Sequence, residues 1–229
     1  PKFIFIPTLA NYQKAITDIK FLFPLANSLI VAITSVGLTM ILSIPAGYAL
    51  SRGKFRRKND LAFVILNSRM APLIGVLIPF YLLFQKLHLL DTKLVLIWMY
   101  TAMNTSLAVW MMRGFFQDLP RELEESALID GCSRFNAFLK IALPLCLPGI
   151  VATALLCFIF SWNEFLFALT LTSFHARTAP VAITCFIRYE QIEWGPLSAS
   201  AIIVLIPGVI ITLFLQRYLI RGLTFGALK

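Results

Sequence analysis

The chain has 229 residues, of which 59% are hydrophobic and 14% are charged, whereas soluble domains carry roughly 25% charged residues. Together with a mean hydropathy of +0.83, this composition excludes an ordinary soluble domain and indicates an integral membrane protein. The net charge of +9 does not require a nucleic-acid partner, because membrane proteins collect Lys and Arg in their loops. The four cysteines form no CxxC pair, and we expect free thiols that pack as small apolar side chains.

Five apolar stretches are long enough to cross a bilayer, whose hydrocarbon core takes about 20 helical residues. They occupy residues 25–50, 61–85, 94–112, 141–163 and 194–216. Helices of this length satisfy their backbone hydrogen bonds internally, as lipid requires. We therefore predict an all-α fold, a polytopic transmembrane helix bundle, with residues 1–229 forming a single transmembrane domain.

The distribution of Lys and Arg predicts the orientation of these spans. Residues 51–60, SRGKFRRKND, hold five basic residues and mark the cytoplasmic side. When the loops are assigned alternately, residues 113–140 and the C-terminal tail also lie in the cytoplasm, and residues 1–20 lie outside. Because no targeting signal is visible at Pro1, we expect a sixth, N-terminal span ahead of it.

A charged, amphipathic stretch separates the third span from the fourth. Pro120 and the acids that follow it are typical of a helix start. Gly131 can take the left-handed conformation that ends a helix, and Ser133 can cap a second helix. The apolar faces of the two helices would comprise Leu123, Ala127 and Leu128, then Phe135, Phe138 and Leu139. Such a pair forms either a hairpin on the membrane surface or a docking site for a soluble partner, and the acids favour a protein partner.

The same stretch resembles a known motif. Glu125-Ser126-Ala127, three residues, Gly131, nine residues and Ile141-Ala142-Leu143-Pro144 match the EAA-x3-G-x9-I-x-LP pattern of permease subunits of binding-protein-dependent ABC importers. Only Ser126 departs from the usual Ala. Ser161-Trp162-Asn163-Glu164-Phe165 and the tail Arg221-Gly222-Leu223-Thr224 are similar to the carbohydrate-uptake branch, the maltose-type (MalG-like) permeases. The resemblance implies the type I ABC importer permease fold, which normally has six helices.

This resemblance implies a function for the cytoplasmic stretch, residues 113–144, as the loop that couples ATPase subunits to the membrane helices. Glu125 would meet a basic group on the ATPase, and Gly131 would form the bend. The tail that begins at Arg221 would also reach the ATPase. The residues implied in coupling are Glu125, Ser126, Ala127, Asp130, Gly131, Ile141, Leu143 and Pro144.

The partners implied by the resemblance are a second permease subunit in a heterodimer, two ATPase subunits, membrane lipid and a periplasmic or lipid-anchored solute-binding protein. The chain would be a multi-pass protein of the bacterial inner membrane and would import a sugar or oligosaccharide. It lacks the GxxxxGK[ST] phosphate loop. ATP and Mg²⁺ would therefore bind to the partner ATPase subunits, and we expect no enzymatic activity and no cofactor in this chain.

Two ionisable residues lie inside predicted spans, where they are costly and indicate functional sites. Arg69 follows Asn67, and Glu164 follows Trp162 and Asn163. Sugars offer hydroxyl groups to polar side chains and ring faces to aromatic ones, so these five residues are candidates for the substrate pathway. The alternative is that Arg69 and Glu164 pair with each other or join neighbouring helices.

Three other functions are the alternatives to be weighed against the sequence. An ABC permease could carry a different solute, such as an alditol or a phosphodiester. A self-contained secondary transporter would need coupling-ion sites and usually an internal repeat, and neither is visible. A membrane enzyme would need a nucleophile beside a base or paired carboxylates, which the spans do not offer. His88 and His175 are isolated in predicted external loops, so we expect no metal site.

Overall fold

The computed structural model describes residues 8–18, 20–188 and 192–224. The regular elements in this part of the chain are helices, with one isolated β-bridge between Ile187 and Ile192. The α-helices are α1 Ala10–Asp18, α2 Leu22–Arg52, α3 Lys58–Asn67, α4 Leu73–Lys86, α5 Lys93–Asp118, α6 Arg121–Ile129, α7 Arg134–Ala137, α8 Leu143–Leu145, α9 Leu147–Trp162, α10 Leu166–Leu171, α11 Ala179–Ile183 and α12 Trp194–Thr224. The end of the predicted tail, residues 225–229, and the loop residues 189–191 lie outside the described residues.

Three continuous helices are long and apolar enough to cross a membrane: Leu22–Arg52, Lys93–Asp118 and Trp194–Phe214. Two further candidates are bent pairs, Lys58–Met70 with Ile74–Lys86 at 85° and Arg134–Leu145 with Leu147–Trp162 at 71°. Counting each pair as one span gives the five predicted crossings. The all-α, polytopic prediction is confirmed, but the second candidate span is bent at a break, and the fourth is preceded by a helical stretch at 71° to it.

Each break has a cause in the sequence. Pro72 disfavours the α conformation at the residue before it, and Ala71 is extended, with ψ of 133°. The second predicted span therefore stops and restarts there. In the fourth span, a new helix begins at Leu147 with a proline in its first turn. Residues 141–145, predicted as the start of that span, belong instead to the helical stretch on its cytoplasmic side.

Helices α2 and α5 form the centre of the bundle. Small residues recur every fourth position on the buried face of α2: Ser35, Thr39, Ser43, Gly47 and Ser51. Such a stripe lets two membrane helices approach closely. A Cβ atom added to Gly47 would stand 2.7 Å from the Cβ atom of Met112 on α5, so only glycine fits this crossing.

Two apolar clusters lie along this central pair. The cluster towards the N-terminal ends of α2 and α5 contains Val31, Leu96, Tyr100, Phe167 and Leu171. The cluster towards their C-terminal ends contains Met40, Met112, Phe116, Ala142 and Cys146. The last two of these residues come from the polar stretch after α6, so that stretch is packed against the bundle and is not a separate hairpin.

Candidate coupling segment and transport cleft

The polar stretch (residues 119–146) is here called the cytoplasmic segment, after its predicted location, and it begins later than predicted. Helix α5 continues to Asp118, so Arg113 belongs to a spanning helix and is 9% exposed. Leu119 and Pro120 are extended. Helix α6 then starts at Arg121, with Pro120 immediately before it and not in its first turn. Glu122 and Glu124 lie in that first turn, where the helix dipole stabilises acids.

The predicted bend of the cytoplasmic segment is present. Gly131 has a φ of +87°, a left-handed conformation that side chains with a Cβ atom disfavour. The N–H of Cys132 donates to the carbonyl oxygen of Ala127 at 2.9 Å, which closes the end of α6. The Oγ of Ser133 accepts from the N–H of Asn136 at 3.3 Å and caps α7. The chain then passes through a π-helical turn, Phe138–Ala142, into α8.

The predicted apolar faces of this segment are only partly buried. Ala127 is buried, but Leu123 and Leu128, which were expected beside it, are exposed. In the second half Phe138 packs against the bundle, whereas Phe135 is 68% exposed. The exposed apolar side chains of the segment are Leu123, Leu128, Ile129, Phe135, Leu139 and Leu145.

The structure places the residues of the motif in two groups. Glu125, Ser126, Asp130 and Gly131 are exposed on the outer surface of α6 and its bend. Ile141 and Leu143 are half-buried and Pro144 is exposed, at the turn that leads back into the membrane. Ala127, which belongs to the first group in sequence, is buried.

Glu124 is the acid that packs against the bundle, although the motif does not include it. Its Oε2 accepts from the hydroxyl of Tyr48 at 2.6 Å, and its Oε1 accepts from the Nε of Arg52 at 2.8 Å. Arg52 also donates to the carbonyl oxygen of Leu119 at 2.9 Å. Glu124 is 8% exposed. The signal available in the sequence was the spacing of Tyr48 and Arg52, which puts both on one face of α2.

The second candidate site is an open cleft of about 360 Å³ between α5 and the junction of α9 and α10. Arg69 and Glu164 both line it. Its other polar lining residues are Tyr100, Asn104, Ser161 and Asn163. The guanidinium of Arg69 lies 4.5 Å from the ring centroid of Phe160 and donates weakly to the carbonyl oxygen of Met103 at 3.4 Å.

Arg69 and Glu164 do not form an ion pair within the described residues. The carboxylate of Glu164 accepts from the hydroxyl of Tyr100 at 2.8 Å and from the backbone N–H groups of Phe167 and Ala168 at 2.9 and 3.2 Å. It therefore caps α10. Three donors thus hold the carboxylate of Glu164, whereas the hydrogen bond that Arg69 makes within the described residues is the weak one to Met103.

The remaining predicted pathway residues lie in different places. Asn163 and Asn67 are exposed, and Asn163 lines the cleft. Trp162 is 4% exposed, stacks on Phe158 and donates its indole N–H to the carbonyl oxygen of Val204 on α12 at 3.2 Å. The structure thus separates Trp162 from Glu164, because α9 ends at Trp162 and Glu164 lies in the break before α10.

A buried network of polar side chains runs from the lining of the cleft to α2. The amide of Asn104 donates to the Oγ of Ser161 at 2.9 Å. That oxygen lies 3.3 Å from the Oγ of Ser35, so α5, α9 and α2 meet through hydrogen bonds. Such contacts between polar side chains join helices within a membrane.

Comparison with known proteins relates this architecture to one family. Residues 40–225 match the family described as binding-protein-dependent transport system inner membrane component. A probable ABC transporter permease protein of Sinorhizobium fredii is 42% identical over 100% of this chain and 82% of its own length. The trehalose/maltose transport system permease protein MalG of Thermococcus litoralis is 39% identical over 97% of this chain and 81% of its own length.

A solved structure agrees with these relatives. It is that of a bacterial ABC transporter involved in the import of the acidic polysaccharide alginate. One of its chains superimposes with a TM-score of 0.75 and 25% sequence identity, covering 95% of this chain and 83% of that chain.

Proposed function

Since the chain belongs to the family of inner membrane components of binding-protein-dependent transport systems, we propose that it imports a sugar or oligosaccharide as one of two permease subunits. ATPase subunits, which bind ATP and Mg²⁺, bind the cytoplasmic segment. Their closure and opening change the conformation of the helix bundle. The chain itself supplies the pathway and the coupling surface and catalyses no reaction.

The exposed surface of the cytoplasmic segment carries this proposal. Ile129 is 86% exposed and Phe135 is 68% exposed, on either side of the bend at Gly131. The segment lies beyond the ends of α5 and α9, and the carboxylate of Glu125 is exposed beside these apolar side chains. An apolar patch next to a negative charge suits a groove on a soluble protein better than an anionic membrane surface.

The proposed substrate class rests on the relatives and on the cleft. Two of the compared proteins are described by their names as acting on trehalose and maltose or on alginate, which are carbohydrates. The cleft combines the donors of Arg69 with polar side chains and the apolar surface of Phe160 and Phe165. This mixture matches the hydroxyl groups and ring faces of a sugar.

The second permease subunit would cover part of the exposed apolar face of this chain. Along α12, Leu205 and Ile206 are more than half exposed. We propose a heterodimer in which part of this face meets the partner and the rest meets lipid. The solute-binding protein would dock at the external loops.

The test is reconstitution of this chain with its partner permease, its ATPase and its binding protein in liposomes. ATP-dependent uptake of radiolabelled trehalose, maltose or a longer oligosaccharide supports the proposal. Uptake that persists without ATP would show a secondary transporter. A complex that purifies without the ATPase would refute the role of the cytoplasmic segment.

A further inference from the structure

Helix α2 is bonded to a different part of the chain at each of its two ends. It is continuous from Leu22 to Arg52, across Pro45, and 31 helical residues span about 46 Å. At the cytoplasmic end Tyr48 and Arg52 hold Glu124 in the cytoplasmic segment. We call these three residues the clamp.

The clamp fixes the first half of the cytoplasmic segment at two points. Arg52 bonds the carbonyl oxygen of Leu119 ahead of α6 as well as the carboxylate of Glu124 within it. The ring of Tyr48 lies 5.3 Å from that of Phe116 and 4.6 Å from that of Phe138. Both halves of the segment therefore contact α2, in addition to their covalent links to α5 and α9.

At the external end, α2 holds the loop between α10 and α11. The amide of Asn27 donates to the carbonyl oxygens of His175 and Arg177, both at 3.0 Å. The Oγ of Ser28 accepts from the N–H of Ala179 at 2.8 Å. Asn27 and Ser28 are 1% and 4% exposed, so water does not compete for these bonds.

We propose that α2 carries the conformational signal between the cytoplasmic segment and the external loop, and that Tyr48, Arg52 and Glu124 are the positioning residues that connect the segment to it. This inference rests on the proposed function. A charge-assisted, buried bond is stronger than a neutral one, and Glu124 has two bonds to α2. When the segment moves, α2 must move with it or this buried carboxylate loses its partners.

The test uses the complete transporter and compares wild type with Glu124→Gln, Asn27→Ala and their double variant. Tyr48→Phe is made alongside, because it removes one hydroxyl and leaves the carboxylate paired with Arg52. Glu122→Gln is the matched control, since it makes the same charge change at an exposed position of α6. The readouts are ATPase content, basal hydrolysis and the stimulation of hydrolysis by the loaded binding protein.

We expect Glu124→Gln to keep its ATPase subunits and basal hydrolysis but to lose stimulation at least about fivefold, the lower end of coupling between sites. Tyr48→Phe should lose less of this stimulation, and Glu122→Gln should lose none of it. Asn27→Ala at the other end gives the same defect, and the double variant is no worse than either single variant, because both break one path.

Full stimulation in Glu124→Gln, or defects that multiply in the double variant, would overturn the inference. Loss of the ATPase from Glu124→Gln alone would also overturn it, because Glu124 would then belong to the docking surface. Absence of the ATPase from the wild-type complex is a different result, which refutes the proposed function.

Discussion

The carboxylate of Asp91 holds the backbone of His175, whose N–H donates to both of its oxygens at 3.1 and 3.2 Å. The imidazole Nδ1 of His175 lies 3.0 Å from the same carboxylate. The N–H groups of Ser173, Phe174 and Ala176 donate to it as well, at 2.9 to 3.2 Å. One side chain after α4 thus organises the turn that follows α10.

This arrangement predicts that the external loop loosens in acid. Burial raises the pKa of Asp91, but the hydrogen bonds from Ser173, His175 and Ala176 outweigh it and hold the pKa well below the ordinary value of 3.8. A carboxyl group with a lowered pKa stabilises the fold above its unfolded pKa. That contribution is lost as the pH falls from about 4 through the folded value.

The measurement is hydrogen exchange of amides 173–176, corrected for the intrinsic effect of pH. We expect Asp91→Asn to reduce their protection at neutral pH, where the carboxyl group of wild-type Asp91 is ionised. His175→Ala is the control with a smaller expected effect, since its side chain is 89% exposed and supplies one bond. Equal protection in Asp91→Asn and wild type would contradict the prediction.

The bend at Gly131 predicts a defect that depends on backbone conformation alone. A Cβ atom at Gly131 or at Gly114 would meet no atom within 4 Å, but only Gly131 has a positive φ. Gly131→Ala should cost about 1–2 kcal/mol in the segment and weaken ATPase binding in co-purification. Gly114→Ala, inside α5, should retain the ATPase. Equal retention by both variants would show that the bend does not position the docking surface.

At the crossing of α2 and α5, we expect a glycine substitution to act through steric contact and not through backbone conformation. Gly47→Ala would bring its new Cβ atom within 2.7 Å of Met112 and 2.9 Å of the Arg113 nitrogen. Overpacking of this kind costs about 1–3 kcal/mol, so the Tm should fall. Gly37→Ala on the same helix meets nothing within 4 Å and should keep the Tm or raise it. A fall for both variants would point to helix flexibility instead.

The cleft predicts that Arg69 acts on transport and not on assembly. Arg69→Gln should raise the KM for uptake by about tenfold, the loss of one charge-assisted hydrogen bond. The content of ATPase subunits and basal hydrolysis should match wild type. Arg56→Gln makes the same change at an exposed position outside the spans and should transport normally. An unchanged KM for Arg69→Gln would remove this residue from the pathway.

The predictions from sequence held best where the information is local. The bend at Gly131 and the cap at Ser133 depend on conformations and hydrogen bonds within a few residues, and both are present. The apolar spans also followed, because bilayer thickness sets their length. The break at Pro72 was available in principle, since proline restricts its predecessor, but hydropathy alone merged α3 and α4 into one span.

The sequence did not predict which side chains contact each other across the bundle. Glu124 and Glu125 are adjacent acids, yet one is buried against α2 and the other is exposed. The motif pointed to Glu125, and only the packing of α6 on α2 shows which acid the bundle holds. Trp162 and Glu164 are likewise two residues apart but contact α12 and α5 respectively.

The sequence by itself determined the class of protein, the apolar spans, the polar segment between them and the turn residues of that segment. These properties follow from hydrophobicity and backbone preference, which each residue carries wherever it lies. The tertiary structure alone decided that Arg69 and Glu164 share a cleft without pairing, and that α2 joins the cytoplasmic segment to the external loop. Those relationships join residues up to 151 positions apart, and only the packing of whole helices sets such distances.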